Sequence, residues 1–403
     1  MNWEQIPLGE VTVKIGSGIT PRGGSSVYTD YGTALIRSQN VLDLSFSESG
    51  LAYISDEHAN KMKRHVVLRN DILLNITGDS TARVTYWNGR YPAVVNQHVA
   101  VIRPNEARIN SRWLQYYLVE KSTKDYLLTL AASGGSRPAL TKGMLNDLLI
   151  PLPRLAEQKA IADVLGALDD KIAANQRVIS DAAELCEALV QKSISGEFTK
   201  LSEIAVITMG TSPKGEDLNE EGRGIPFFQG VRDFGDISPK RRVCTDKPLR
   251  TAEPGDVLLA VRAPVGQVNL ALEKVCIGRG LAAVRSAINS PVSLFYLLRS
   301  HREIWQDFDG NGTVFSSVNR SDAHNVLVPI ILPTKQKDLE KVLNTIHGRL
   351  LKAQKENQVL AATRDELLPL LMNGKITVAE VKEAAGDVGV VKQKQQEDGD
   401  SDV

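Results

Sequence analysis

No run of about 18 consecutive apolar residues occurs in the 403-residue chain, so no membrane-spanning helix is expected. The opening stretch MNWEQIPLGE lacks the charged-then-apolar layout of a secretory signal. Cysteine is scarce, and Cys186, Cys244 and Cys276 lie far apart. So sparse and odd a set excludes a disulfide framework and points to a reducing cytoplasm, with the thiols acting as small buried hydrophobes. Net charge is absent as well, with 48 basic residues against 48 acidic ones. That is awkward for a nucleic-acid binder, because phosphate contact leaves a basic footprint. The balance is uneven along the chain, which softens the objection. Residues 1–150 carry 16 basic and 13 acidic groups, residues 199–332 carry 16 and 15, and residues 379–403 carry 3 and 7. The last of these is polar and acidic and reads as a disordered tail.

Catalytic signatures are missing too. GITPRGGS, beginning at Gly18, imitates a phosphate-binding loop, but Gly24 stands where that loop needs lysine. None of His58, His65, His98, His301, His324 and His347 pairs at metal-ligand spacing. His98 reads as a structural or contact residue on a strand. There is no G-x-S-x-G serine elbow and no Asn-Pro-Pro-aromatic or Asp-Pro-Pro-aromatic tetrapeptide to grip a flipped base. A binding protein with no catalytic residues, no metal and no cofactor is therefore the expected class.

What the chain does have is itself, twice. A constant shift of 178 residues aligns positions 151–198 with 329–376 without a gap, and nine of the 48 positions are identical. Upstream matches follow in the same order. Gly18-x-x-Pro21-Arg22 matches Gly210-x-x-Pro213-Lys214, and Gln39-x-Val41-x-Asp43 matches Gln229-x-Val231-x-Asp233. Asp71 opens DILL as Asp256 opens DVLL, and Ala100-x-Ile102-Arg103 matches Ala282-x-Val284-Arg285. Each half is thus a globular unit followed by a helical one.

The helical units carry heptad seams: Ile161, Leu165, Leu168, Ile172, Asn175, Ile179, Ala182, Cys186 and Leu189, then Leu339, Leu343, Ile346, Leu350, Ala353, Asn357, Leu360, Arg364 and Leu367. About 40 residues of helix would reach about 60 Å. Two polar residues interrupt the second seam, Pro369 is expected to kink or fray its end, and Ser195-Gly196 and Asn373-Gly374 read as stop signals. The globular units read as short buried strands with one helix each, near residues 111–130 and 291–308. Polar, glycine-rich loops intervene. Arg and Lys fork onto guanine and Asn and Gln onto adenine. The candidates for DNA contact are Arg22, Arg37, Gln39, Asn40, Ser136 and Arg137 in the first half, and Lys214, Gln229, Arg232 and Asn311 in the second.

The elements IPLPRLAEQKAIADVLGALDDKI and VPIILPTKQKDLEKVLNTIHGRL, with the Gly-x-x-Pro entries and Asp-x-Leu-Leu strands, resemble the specificity subunit of Type I restriction–modification systems over residues 1–378. The second element departs from the pattern at Lys335-Gln336 and His347-Gly348. The resemblance implies an α+β fold, with two mixed α/β target-recognition domains in pseudo-two-fold repeat and two long helices pairing as an antiparallel coiled coil. The expected boundaries are 1–153 and 198–332 for the recognition domains, 154–197 and 333–378 for the helices, and 379–403 for the tail. It further implies a bipartite double-stranded DNA site, with each domain reading one half. Two modification subunits and ATP-dependent restriction subunits are the implied partners, docking on helices that carry Leu165, Leu168, Ile172, Leu343, Ile346 and Leu350. A related modification system with another enzyme partner, or a coiled-coil scaffold without DNA affinity, are the alternatives.

Overall fold

The computed structural model describes residues 3–133, 138–308 and 317–384. The chain divides into two compact units, residues 1–173 with 357–403, and residues 174–356. Both long helices, Leu155–Gln191 and Pro333–Met372, are shared between the units instead of standing apart from them.

Each unit repeats the same two sheets. In the first, a four-stranded sheet runs Val84–Tyr86, Ile72–Asn75, Val99–Pro104, Thr12–Ser17. A five-stranded sheet runs Tyr28–Thr29, Ala52–Ile54, Thr33–Ile36, Ala93–Val95, Val66–Val67. The second unit has Val268–Leu270, Val257–Ala260, Leu281–Ser286, Ala205–Met209, then Leu218–Asn219, Val243–Thr245, Ile225–Phe228, Val275–Ile277, Thr251–Ala252. In both, one pair of the five-stranded sheet is parallel, Ala93–Val95 with Thr33–Ile36 and Val275–Ile277 with Ile225–Phe228. The alternation of strand side chains explains the unbroken apolar runs. Leu73 packs between the sheets while Ile72 and Leu74 face the helices, and Leu258 divides from Val257 and Leu259 in the same way.

The motif pairs found upstream turn out to be two ends of one contact. Asp71 is buried and accepts a two-pronged contact from Arg103, 2.7 Å at each oxygen. Asp256 receives Arg285 identically, at 2.7 and 2.8 Å. Each carboxylate also takes a turn amide, from Leu68 at 2.7 Å and Glu253 at 2.8 Å.

The helices pair antiparallel within each unit, and the polar residues of the seam fix the register. In the first unit Arg364 meets Asp169 at 2.8 Å and Asn357 donates to the Ile172 carbonyl at 3.3 Å. In the second, Asn175 donates to Glu356 at 2.7 Å. Each helix is also bolted to its globular part. Gln158, fully buried, accepts from the Asn110 amide and donates to the Arg108 and Pro153 carbonyls. The buried Tyr116 hydroxyl donates to Asp169, and the buried Tyr296 hydroxyl meets His347 Nδ1 at 2.9 Å. His347 therefore replaces Asp169 in the same joint, so the departure of the second element from the pattern preserves the contact.

Several local expectations need correction. Each single helix is broken in two. Glu120 leaves helical geometry to cap Lys121–Ala132 through Ser122 and Thr123, and Pro291–Ser300 gives way to the 3-10 turn Arg302–Phe308. The first long helix stops at Gln191, so Ser195-Gly196 falls in the strand Ile194–Lys200, where the register shifts. The second long helix runs through Pro369 to Met372, and the turn at Asn373-Gly374 then closes it. Residues 379–384 of the expected tail are helical, in a turn of helix opened by a reciprocal Thr377–Glu380 cap, with Val381 against the first core. The rest of that tail lies outside the described residues.

All three cysteines are buried, and burial pushes the Cys186 thiol up to about 11. Burial pulls His347 the other way, to about 4. The folded state keeps this imidazole neutral while the unfolded chain protonates it near 6.5. Stability from His347 is therefore complete above pH 6.5 and lost as pH falls toward 4. In urea titrations at stepped pH, His347→Gln, which keeps a hydrogen-bonding partner for Tyr296, should flatten that slope; an unchanged slope would refute the assignment.

Candidate nucleic-acid interface

Three loops meet at the end of the parallel strand pair in each unit. The first is the glycine entry loop. The Gly18 amide bonds the Asn96 carbonyl at 3.1 Å, and a Cβ on Gly18 would lie 1.6 Å from the Val95 oxygen. Gly210 repeats this approach, 2.2 Å from the Gly278 oxygen, with its amide on Leu281. The second loop follows the strands Thr33–Ile36 and Ile225–Phe228, and the third follows Ala93–Val95 and Val275–Ile277. Beside them leave Thr77 and Arg262, bridged to Ala139 and Ser317. These bridges border the glycine-rich loops whose candidates Ser136, Arg137 and Asn311 lie outside the described residues.

The candidates divide by exposure. Arg22 is exposed, and so is Lys214, which pairs with Glu216 at 3.6 Å. Such an exposed pair is worth little. Gln39 is exposed and donates to the Gly50 carbonyl at 3.2 Å. Arg37 is half-buried, donates to the same carbonyl, and lies over the Tyr28 ring at 5.5 Å. Gln229 is exposed, with its Oε1 accepting from Ser212 at 2.9 Å, and Arg232 is exposed. Asn40 is different. It is fully buried, its oxygen caps the Arg37 amide at 3.1 Å, and its nitrogen donates to the Ser47 and Ser49 carbonyls. The residue supports the loop and has nothing left with which to read a base.

Sheet register also revises the pairing of halves. Ile36 stands against Val95 as Phe228 stands against Ile277. The residues that follow, Arg37 and Gln229, are thus equivalent, and Gln39 is not the partner of Gln229. Asn40 and Asp233 then do one job, accepting the amide of Arg37 and of Gln229 at 3.1 and 2.8 Å.

The same register exposes residues that, His98 apart, the sequence did not single out. Thr20 corresponds to Ser212, Gln97 to Arg279, His98 to Gly280 and Thr77 to Arg262. Thr20 donates to Gln97, Gln97 Nε2 lies 2.9 Å from His98 Nε2, and Thr77 lies 2.6 Å from His98 Nδ1. In the second unit Ser212 Oγ receives the Arg279 amide at 3.2 Å, leaving the exposed Arg279 and Arg262 side chains as cations. One backbone frame thus carries two different sets of side chains. Among the described residues there is no group of three His, Cys, Asp or Glu side chains that could hold a metal.

On the helices, Leu165, Leu343 and Leu350 are fully buried, and Ile346 packs against the second core. These side chains hold the fold and are not free to face a partner. Leu168 and Ile172 are half-buried. The exposed large apolar positions are instead Leu155, Val178, Leu185, Val342 and Val359.

Residues 1–184 match the family model described as Type I restriction modification DNA specificity domain. The first half of the chain is thus similar to the Type I DNA specificity family. The chain is 28% identical to a Methanocaldococcus jannaschii protein provisionally named the type I restriction enzyme MjaX specificity subunit, covering 94% of each chain. It is 20% identical to the type I restriction enzyme EcoBI specificity subunit of Escherichia coli, over 93% of this chain and 86% of that one. The crystal structure of the Type I restriction–modification S subunit from M. genitalium shares the fold at a TM-score of 0.61 and 17% identity, covering 92% and 96%. No helix among the described residues is long and apolar enough to cross a membrane.

Asn40→Ala would strip three hydrogen bonds from a fully buried site. A loss of about 1–3 kcal/mol is expected in thermal unfolding, with the 37–50 segment becoming the first site of protease cleavage. A variant as stable as the parent would mean that the Asn40 amide does not hold the loop.

Proposed function

We infer that this specificity subunit reads a bipartite DNA site, one half with each unit, and has no catalytic activity of its own. The observation that carries this is the paired surface. Equivalent backbone positions bear Arg37 against Gln229, Gln97 against Arg279, and Thr77 against Arg262. A protein that reads two different short sequences with one fold needs such divergence on a common frame. Arg22 and Lys214, and Gln39 and Arg232, border the same loops. Arg279, Arg262 and Arg232 favour guanine contacts in the second half-site, whereas Gln39 and Gln97 favour adenine in the first. Cations focused at these loops also answer the zero net charge, since steering depends on local field.

Modification subunits would supply S-adenosylmethionine chemistry and restriction subunits ATP hydrolysis, with the paired helices as their dock and as the spacer between half-sites. The test is methylation mapping of host DNA with single substitutions. Gln97→Ala and Arg279→Ala should each cost roughly 1–3 kcal/mol and relax preference in one half-site only. Both halves changing together would rule out independent reading.

Docking is expected on the exposed helix faces. Val178→Asp with Leu185→Asp should leave the melting temperature near the parent's while co-purification with the modification subunit drops sharply. Retained assembly would move the dock elsewhere.

A further inference from the structure

A cleft of about 500 Å³ in the first unit opens beside the start of the helix Ser111–Val119. Its walls carry Arg69, Arg112 and Lys159 against one acid, Glu106, which Asn70 holds at 2.8 Å. Arg112 already pairs with Asp170 at 2.9 Å and Lys159 with Asp163 at 3.0 Å. Arg69 is exposed, with no ion pair among the described residues. Ser111 also lines the cleft. It is only 7% exposed, yet its hydroxyl has no hydrogen-bond partner, and neither has the Arg112 Nε. A buried donor left in that state is costly, and a helix start favours negative charge.

The second unit shows what the equivalent helix start takes. There the Val292 and Ser293 amides and the Ser293 hydroxyl donate to the Glu340 carboxylate, at 3.1, 2.8 and 2.6 Å. Glu340 belongs to the second long helix, and the 178-residue shift puts Ala162 in its place on the first. The first unit lacks that anion: there the Asn110 side chain caps the Trp113 amide at 3.0 Å, and three cations line the cleft beside the helix start. We propose that this cleft binds a phosphate group, with Arg69, Lys159 and the Ser111 hydroxyl as its ligands. Three cations and a wide mouth suit a tetrahedral anion, whose oxygens point in several directions, better than a planar carboxylate. A DNA phosphodiester and free phosphate share this chemistry.

The experiment titrates inorganic phosphate into the full chain at constant ionic strength, read by calorimetry and by thermal unfolding. Saturable binding is expected, with chloride giving none. Arg69→Glu, at an exposed position outside the core, should weaken it by about tenfold, and Ser111→Ala by about fivefold. Absence of saturable binding, equal binding by Arg69→Glu, or acetate binding as tightly as phosphate would overturn the proposal. Duplex DNA then separates the sources. If Arg69→Glu weakens all sequences alike and lowers the salt slope by about one, the bound group is a backbone phosphate. If DNA affinity is unchanged while phosphate binding is lost, the site serves free phosphate.

Discussion

Gly18 and Gly210 set the constraint on which the candidate interface depends. Each brings an entry loop so close to the end of a parallel strand that a methyl group would overlap a carbonyl oxygen. The close pass lets the loop amides bond across to Asn96 and Leu281. Three otherwise separate segments thereby become one surface, with Thr20 in reach of Gln97 and Ser212 in reach of Gln229. Flexible loops would lose conformational entropy on meeting a ligand; loops tied at their roots lose less.

The repeat was legible because the frame repeats, and the frame is where the matching residues lie. The Asp-x-Leu-Leu and Ala-x-Ile-Arg signals are the two partners of a half-buried ion pair, Asp71–Arg103, copied as Asp256–Arg285. The loop positions proposed to read DNA have diverged instead, so a search for matched residues finds scaffold and passes over Gln97, Arg262 and Arg279. That is also why Gln39 was set against Gln229. Identical letters two positions apart outweighed a register that only the parallel strands define.

The long helices were legible from their seven-residue period, which survives because every seam position is buried or half-buried. Their ends were less so. A glycine after a helix marks a stop only if the chain is still helical when it arrives, and the Leu155–Gln191 helix has already given way to a turn at Lys192. The break at Glu120 was hidden because a carboxylate that caps the next helix looks, in sequence, like one more exposed helical residue. The Thr377–Glu380 box was a readable signal that acidic composition obscured.

The polar residues in the seam have a consequence for how this spacer could change length. Asn357 reaches a backbone carbonyl and Arg364 a buried-facing carboxylate, so each recognises one axial position of the opposite helix. An apolar zipper can slip by a heptad and repack, but a stranded guanidinium pays heavily for the same slip. Lengthening one helix alone would therefore set charge against leucine. Viable variants of the spacer should carry compensating insertions in both strands of the zipper, so its length is inherited as a matched pair and changes in steps.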